Sequence, residues 1–272
     1  FFTTLWNSYY YITDYMKRFG LDGTETHDPK ALEDQWLLSK ANTLIQIVDH
    51  RMERHEYNHA VAAIMDFVVN TLSRTYIKLI RERTSEQDED LAYTFRYVLT
   101  RLIKVMAPFT PYVTEKIYQD FLKEDSWSVH FTDWPKVEQQ NVQLEQEFDV
   151  AQNIIQGILA AREQAQWGVR WPLSEAKVIC SAKLSEPIIN LIRTQTNVKM
   201  ITFVEEFPVS YTFEIDYRKL GEEFGTETGD VIPAVKRNMD LITKALNESD
   251  TVMVEQWKLT RDQFKEIGRA HV

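Results

Sequence analysis

Two groups of residues have the types and spacing to do chemistry. His55-Glu56-Tyr57-Asn58-His59 spells H-E-x-x-H. On one helix that spacing turns two imidazoles to the same face to bind zinc, with the carboxylate as general base of a metallopeptidase. The context gives a different reading, because Asn58 suits the N-cap of the helix that follows, and a cap there takes His55 off the face that carries His59. His27, His50, His130 and His271 add no third ligand at a zinc spacing. The second group is cationic. From Asn58 to about Arg83, the residues Val61, Met65, Val68, Leu72, Tyr76 and Leu79 gather on one side at about 100° per residue, and Arg74, Lys78 and Arg81 lie on the other. Glu82 is the only nearby carboxylate in that stretch, so the ridge is able to seat a run of phosphates. Three basic residues near a helix C-terminus also serve simply to complement its dipole, and spacing alone leaves both readings open.

Two further basic groups carry less information. Arg96, Arg101 and Lys104 sit on the next predicted helix, and Arg162, Arg170 and Lys177 flank a junction in the chain. Trp167 and Trp171 lie among the latter; an aromatic beside arginines stacks an unpaired base, whereas a tryptophan before a proline at a junction more commonly packs. The sequence holds no P-loop, G-x-G-x-x-G, G-x-S-x-G or C-x-x-C, and its 8 glycines form no obvious phosphate-cradling loop. Carboxylates are plentiful, but no spacing singles out an acid–base pair.

The elements that must position these residues are mainly helical. Leu37, Ala41, Leu44 and Val48 recur on one helical face, with Asp28-Pro29 as its predicted cap and first turn. Further helices are predicted from Asn58, from Leu91 to Met106 with Pro108 ending it, and from Thr110-Pro111 with Val113, Ile117 and Phe121 inward. Glu86, Asp88, Glu89 and Asp90 read as a solvated loop. Together residues 1–135 read as a helical bundle. Residues 136–172 read as a connecting helix, about Leu144 to Gln166, and a junction; Leu144, Phe148, Ala151, Ile155 and Leu159 mark its inner face. Residues 173–272 read as a small α/β domain, with strands at 176–180, 198–204, 209–215 and 251–254, helices at 185–195 and 230–246, and a capping box at Thr260 and Gln263 that opens a last short helix.

Composition bounds the partners. The 272 residues carry 31 Lys+Arg against 41 Asp+Glu, a formal charge of −10, which argues against a surface that grips nucleic acid throughout but leaves room for a local basic stripe. A 44% hydrophobic and 26% charged composition is that of a soluble globular protein. Cys180, the single cysteine, rules out an internal disulfide and points to a reducing, cytoplasmic setting. No apolar run reaches the ~18–20 residues that span a bilayer. The chain opens Phe1-Phe2-Thr3-Thr4-Leu5-Trp6, already on the apolar face of a predicted helix, and reads as a piece of something longer.

Several stretches together resemble the carboxy-terminal part of class I aminoacyl-tRNA synthetases. Asp34-Gln35-Trp36-Leu37-Leu38-Ser39 resembles that family's D-x-W-I/L-L-S segment, and Phe67 to Lys78, with Leu72-Ser73 and Tyr76, resembles its F-x-x-x-x-L-S-x-x-Y helix. Met106 to Glu115 is similar to its M-A-P-F/Y-T-P segment, and Ser128-Val129-His130 to Trp134-Pro135 to the S-V/I-H segment that follows. These segments are common to the isoleucyl, valyl and leucyl branches. In the second half, Arg162 to Arg170-Trp171-Pro172-Leu173 and Asp216-Tyr217-Arg218-Lys219-Leu220-Gly221 resemble the isoleucyl branch. That branch carries Asn in the latter segment where this chain has Asp216, and the zinc-binding cysteines that end many bacterial members are missing, as in the archaeal or eukaryotic type.

The resemblance implies a helical anticodon-binding bundle followed by a small α/β domain. It implies no catalytic residue and no metal in this chain, and as partners an isoleucine tRNA and the catalytic and editing domains of a parent enzyme. Valine tRNA is the alternative partner. ATP, with magnesium, is implied only for a catalytic domain of the parent, since H-I-G-H and K-M-S-K-S signatures are absent here. The chain alone is expected to be catalytically inactive, monomeric and free of membrane. The resemblance also reverses the reading of the ridge: Arg74, Tyr76, Lys78, Arg81 and Arg83 become the expected tRNA contacts, followed by Arg162 and Arg170. Tyr76 stands apart, because the helical projection turns it to the core.

Overall fold

Apolar residues at helical spacing build most of the chain, as the computed structural model shows for residues 1–122, 126–205 and 209–270. The protein is mainly helical, with a smaller α/β part, and divides into two compact units: Phe1–Gln156 with Lys183–Thr196, and Gly157–Ala182 with Asn197–Val272. No helix among the described residues is long and apolar enough to cross a membrane.

In the first unit, α1 (Phe2–Phe19) ends at Gly20, whose φ of 68° suits the left-handed C-terminal turn that glycine adopts without penalty. The next helix, α2 (Leu32–Glu53), buries Leu37, Ala41, Leu44 and Val48 as its periodicity predicts. It starts later than Asp28-Pro29: Ala31 is the cap position, and Pro29 stays outside the helix, its carbonyl accepting from Gln35 Nε2 at 2.9 Å. The following segment consists of α3 (Tyr57–Asp66), a π-helical stretch Phe67–Tyr76 and a final turn α4 (Ile77–Leu79). Helix α5 (Glu89–Met106) is capped by Asp88, whose carboxylate accepts from the Leu91 amide at 3.0 Å. Of the expected acidic loop, Glu86 and Asp88 lie in the connection before α5, while Glu89 and Asp90 belong to its first turn, where negative charge complements the dipole.

Pro111 opens α6 (Pro111–Ile117), which passes into a π turn, Tyr118–Leu122. Its buried face is Thr114, Ile117, Tyr118 and Leu122 rather than Val113, Ile117 and Phe121. In α7 (Val142–Gln164), Leu144, Phe148 and Ala151 are buried, and Phe148 stacks on Trp36 of α2 at 4.9 Å. Further along, Ile154 and Ile158 are buried rather than Ile155 and Leu159. Helix α8 (Glu186–Thr196) returns to this unit, and Glu147 accepts from the amide and hydroxyl of Ser185 at its start.

In the second unit, β1 (Leu173–Val178) pairs parallel with β2 (Val198–Phe203). The antiparallel pairs are β3 (Val209–Ile215) with β6 (Phe264–Ala270), and β4 (Thr251–Val254) with β5 (Trp257–Thr260). The helices are α9 (Tyr217–Phe224), α10 (Thr228–Arg237) and α11 (Met239–Glu248). The single helix predicted over 230–246 is broken at Asn238 (φ −107°, ψ 18°), whose amide pairs with the Ala234 and Val235 carbonyls. The core of Phe213, Leu220, Val231, Val235, Ile242, Leu246, Leu259 and Phe264 closes over these elements. The capping box is present as Thr260 and Gln263, on a single 3-10 turn.

Candidate nucleic-acid interface

The ridge lies on the segment from Tyr57 to Ser85, and the winding of that segment decides which side chains face out. Its buried residues are Ala60, Ile64, Phe67, Val68, Thr71, Leu72, Tyr76 and Ile80. Relative to the α-helical projection the face starts one residue earlier and ends one later. The cause is the π stretch, whose i→i+5 hydrogen bonds advance less angle per residue. Met65, expected inside, is therefore exposed, and Leu79 gives its place to Ile80. The α-helix stops at Leu79, and Arg83 opens a separate 3-10 turn, Arg83–Ser85.

On the outer side, Arg74, Lys78 and Arg81 are all exposed. Arg74 Nη1 donates to Asn70 Oδ1 at 3.1 Å, and Asn70 donates in turn to Asp66 at 2.6 Å. Arg81 stands on the turn after the helix, where its carbonyl accepts from Thr84 Oγ1, itself 2.8 Å from the hydroxyl of Tyr11 on α1. None of the three forms an ion pair among the described residues.

Arg83, two residues on, turns inward and is corrected as a contact. Nη1 donates to Glu33 and Asp34 at 3.0 Å each; Nη2 donates to Asp34 at 2.8 Å and Asp88 at 2.7 Å. Asp34 is fully buried and also accepts from the Tyr76 hydroxyl at 2.6 Å. Burial pushes the Asp34 carboxyl up, against the pull of Arg83 and Tyr76. Burial first, and then the neighbouring Asp34, hold the Tyr76 hydroxyl well above its ordinary value, so it remains a neutral donor. Tyr76 is fully buried and is likewise removed from the accessible set. Asp34 of the D-x-W segment and the tyrosine of the L-S-x-x-Y segment thus meet in one buried knot. The other motif residues behave similarly: Ser39 bonds Glu145 and the Asn141 amide, and Glu115 accepts from Ser128 Oγ at 2.8 Å and the Val129 amide at 3.0 Å.

The remaining cations divide in the same way. Arg96 donates to the Asp22 and Leu122 carbonyls, and Arg101 pairs with Glu138 while lying 3.4 Å over the Tyr97 ring. In the second unit Arg162 is only 2% exposed; Nη2 donates to the carbonyls of Gly168, at 2.8 Å, and Trp171. It too is corrected, from a contact to a buried tie. Arg170 is exposed, and so are Trp167 at 55% and Trp171 at 67%, so neither tryptophan is buried within this chain.

H-E-x-x-H does not lie on one helix. The N-cap of α3 is Glu56 rather than Asn58, and His55 sits before it with φ 59°, its Nδ1 2.9 Å from the Tyr57 hydroxyl. Arg51 and Arg54 occupy the Glu56 carboxylate. Among the described residues no three His, Cys, Asp or Glu side chains converge to hold a metal ion. An apolar hollow of about 320 Å³, lined by Phe1, Phe2, Val61, Ile64, Met65, Met106, Phe109 and Thr110, offers no titratable group.

A helical bundle built on these motif contacts, with a basic outer ridge, matches the family model of the anticodon-binding domain of tRNA ligase over residues 34–179, and the chain belongs to that family. Its relatives narrow the class. It is 32% identical to the isoleucine–tRNA ligase of Methanopyrus kandleri over 286 residues, which is 95% of this chain and 26% of that protein. It is 33% identical to that of Pyrococcus abyssi, covering 94% of this chain and 24% of the relative, and 34% identical to that of Methanothermobacter thermautotrophicus, covering 97% and 27%. The chain thus spans about a quarter of the length of these relatives. The family and branch that the sequence resembles are the ones these comparisons return.

Proposed function

We propose that this chain is the anticodon-arm-binding part of an isoleucine–tRNA ligase, which holds an isoleucine tRNA for ATP-dependent aminoacylation carried out by another domain of the parent enzyme. The observation that carries this reading is the exposed series Arg74, Lys78 and Arg81, without ion pairs among the described residues, on a chain of net charge −10 in which Arg83, Arg101 and Arg162 are committed internally. A row of exposed cations suits a phosphate backbone. ATP and magnesium belong to the parent's catalytic domain; this chain supplies binding and no catalytic residue, acts as a monomer, and works in the reducing cytoplasm that fits a lone Cys180. Arg170 joins the three ridge cations as an accessible contact.

The test is a binding titration of the chain with isoleucine tRNA at several salt concentrations, with valine tRNA as competitor. Affinity falls steeply with salt, and valine tRNA competes poorly. Replacing Arg74, Lys78 and Arg81 together by alanine lowers the slope of log K against log salt by about 2–3, as expected for the loss of three phosphate contacts. A salt-independent affinity, or a triple variant that binds as well as the parent chain, overturns the assignment.

A further inference from the structure

The loop that follows α7 in the second unit is fixed in its backbone and open in its side chains. Gln166 ends the helix in the left-handed conformation, φ 58°, with its amide on the Glu163 carbonyl and the Trp167 amide on the Arg162 carbonyl, a Schellman closure. The Trp171 amide then returns to the Gly168 carbonyl at 3.1 Å. Three successive ties come from side chains: Arg162 Nη2 to the carbonyls of Gly168 and Trp171, and Asn197 Nδ2 to the carbonyl of Val169 at 2.8 Å. Asn197 is itself held at φ 51°, its carbonyl receiving the Leu173 amide.

The tie from Arg162 is costly. Its Nε and Nη1 are buried without a hydrogen-bond partner among the described residues, and a buried charge with unmet donors destabilises the fold. In return the loop presents Trp167, Val169, Arg170 and Trp171 to solvent, with Val169 45% exposed. A backbone tied down in this way that displays two large aromatics on the same loop as a cation with no ion pair among the described residues is suited to receive a ligand, since preorganisation lowers the ordering cost of binding. Exposed indoles on the same short loop as an exposed arginine suit flat, unpaired bases on a charged backbone.

Building on the tRNA reading above, the geometry points to the loop from Trp167 to Trp171 as a stacking platform for unpaired nucleotides of the tRNA, with Arg170 on the adjoining phosphate and Arg162 shaping the loop from beneath. The experiment compares two RNAs: an anticodon stem-loop and a fully paired duplex of the same length. Trp167→Ala and Trp171→Ala each weaken stem-loop binding about 5- to 100-fold, the range of one stacked base. They leave duplex binding and the salt slope unchanged, and Trp171→Phe retains stem-loop binding. Both tryptophans are exposed, so these variants keep the fold, which circular dichroism verifies. If both alanine variants bind the stem-loop as the parent chain does while the ridge triple variant loses affinity, the platform is wrong and the tRNA reading stands. Equal losses on stem-loop and duplex also overturn stacking. Failure of the unaltered chain to bind the stem-loop at low salt overturns the platform and the reading beneath it.

Discussion

Arg81 and Arg83 stand two residues apart and have opposite fates. Arg81 projects from a turn with no carboxylate partner among the described residues, while Arg83 is gripped by Glu33, Asp34 and Asp88. Arg170 and Arg162 in the second unit repeat the contrast, one exposed and one buried under the loop that carries the other. In both places a committed arginine shapes the backbone from which a free arginine projects. The committed member governs stability and the free member is left for a ligand, so substitutions should separate the two properties.

The largest effect is expected at Arg83. Arg83→Ala strands the buried Asp34 carboxylate, and breaking a buried pair in this way costs about 3–5 kcal/mol. Chemical denaturation measures it, with the ridge variant Arg74→Ala/Lys78→Ala/Arg81→Ala as the counterpart, expected within about 0.5 kcal/mol of the parent chain because its side chains are exposed and form no ion pair among the described residues. Equal stabilities for the two would erase the distinction between them.

A smaller split is expected in the second unit. Arg162→Ala frees the carbonyls of Gly168 and Trp171 and should cost about 1–3 kcal/mol, tempered by removal of the two unmet donors. Arg170→Ala should cost less than about 0.5 kcal/mol. Amide exchange over residues 166–171 sharpens the comparison: it should accelerate in the Arg162 variant and stay unchanged in the Arg170 variant. Exchange accelerated equally by both would mean that Arg170 also supports the loop.

The sequence makes the elements legible and these fates illegible, for a physical reason. Apolar periodicity is local, so α2 and α5 are visible in the spacing of Leu37 to Val48 and Leu91 to Met106, whereas α9, β5 and β6 are not. Two of the three partners of Arg83, Glu33 and Asp34, lie 50 and 49 residues away on α2, and the tie from Asn197 to Val169 crosses 28 residues. No spacing rule around Arg83 or Trp167 reports such contacts. The π stretch hid itself for a related reason: the apolar spacing of Val68, Leu72 and Tyr76 suits either winding, and only the shift from Met65 to Ile64 and from Leu79 to Ile80 betrays it. Much of the recognisable motif signal is structural. Asp34, Ser39, Tyr76 and Glu115 hold helices together, so they identify the family well and locate the ligand poorly.

The same contrast divides the carboxylates and gives the smallest expected effect. Burial pushes the Glu115 carboxyl up, but hydrogen bonds from Gln119, Ser128 and the Val129 amide outweigh it and hold the group below its ordinary value of 4.5. A carboxylate lowered in the folded state contributes stability that is present above the unfolded value and lost as pH falls through the folded one. Glu115→Gln should therefore be less stable than the parent chain by about 1 kcal/mol at neutral pH, an amount limited by partial solvent access. The two denaturation curves should converge as the pH drops below about 4. Asp133, for which no hydrogen bond or ion pair is found among the described residues, serves as the free counterpart: Asp133→Asn should leave the difference near zero across the same range. A Glu115 variant whose deficit persists unchanged into acid would show that shape, rather than charge, is what Glu115 contributes to the seating of Ser128 and Val129.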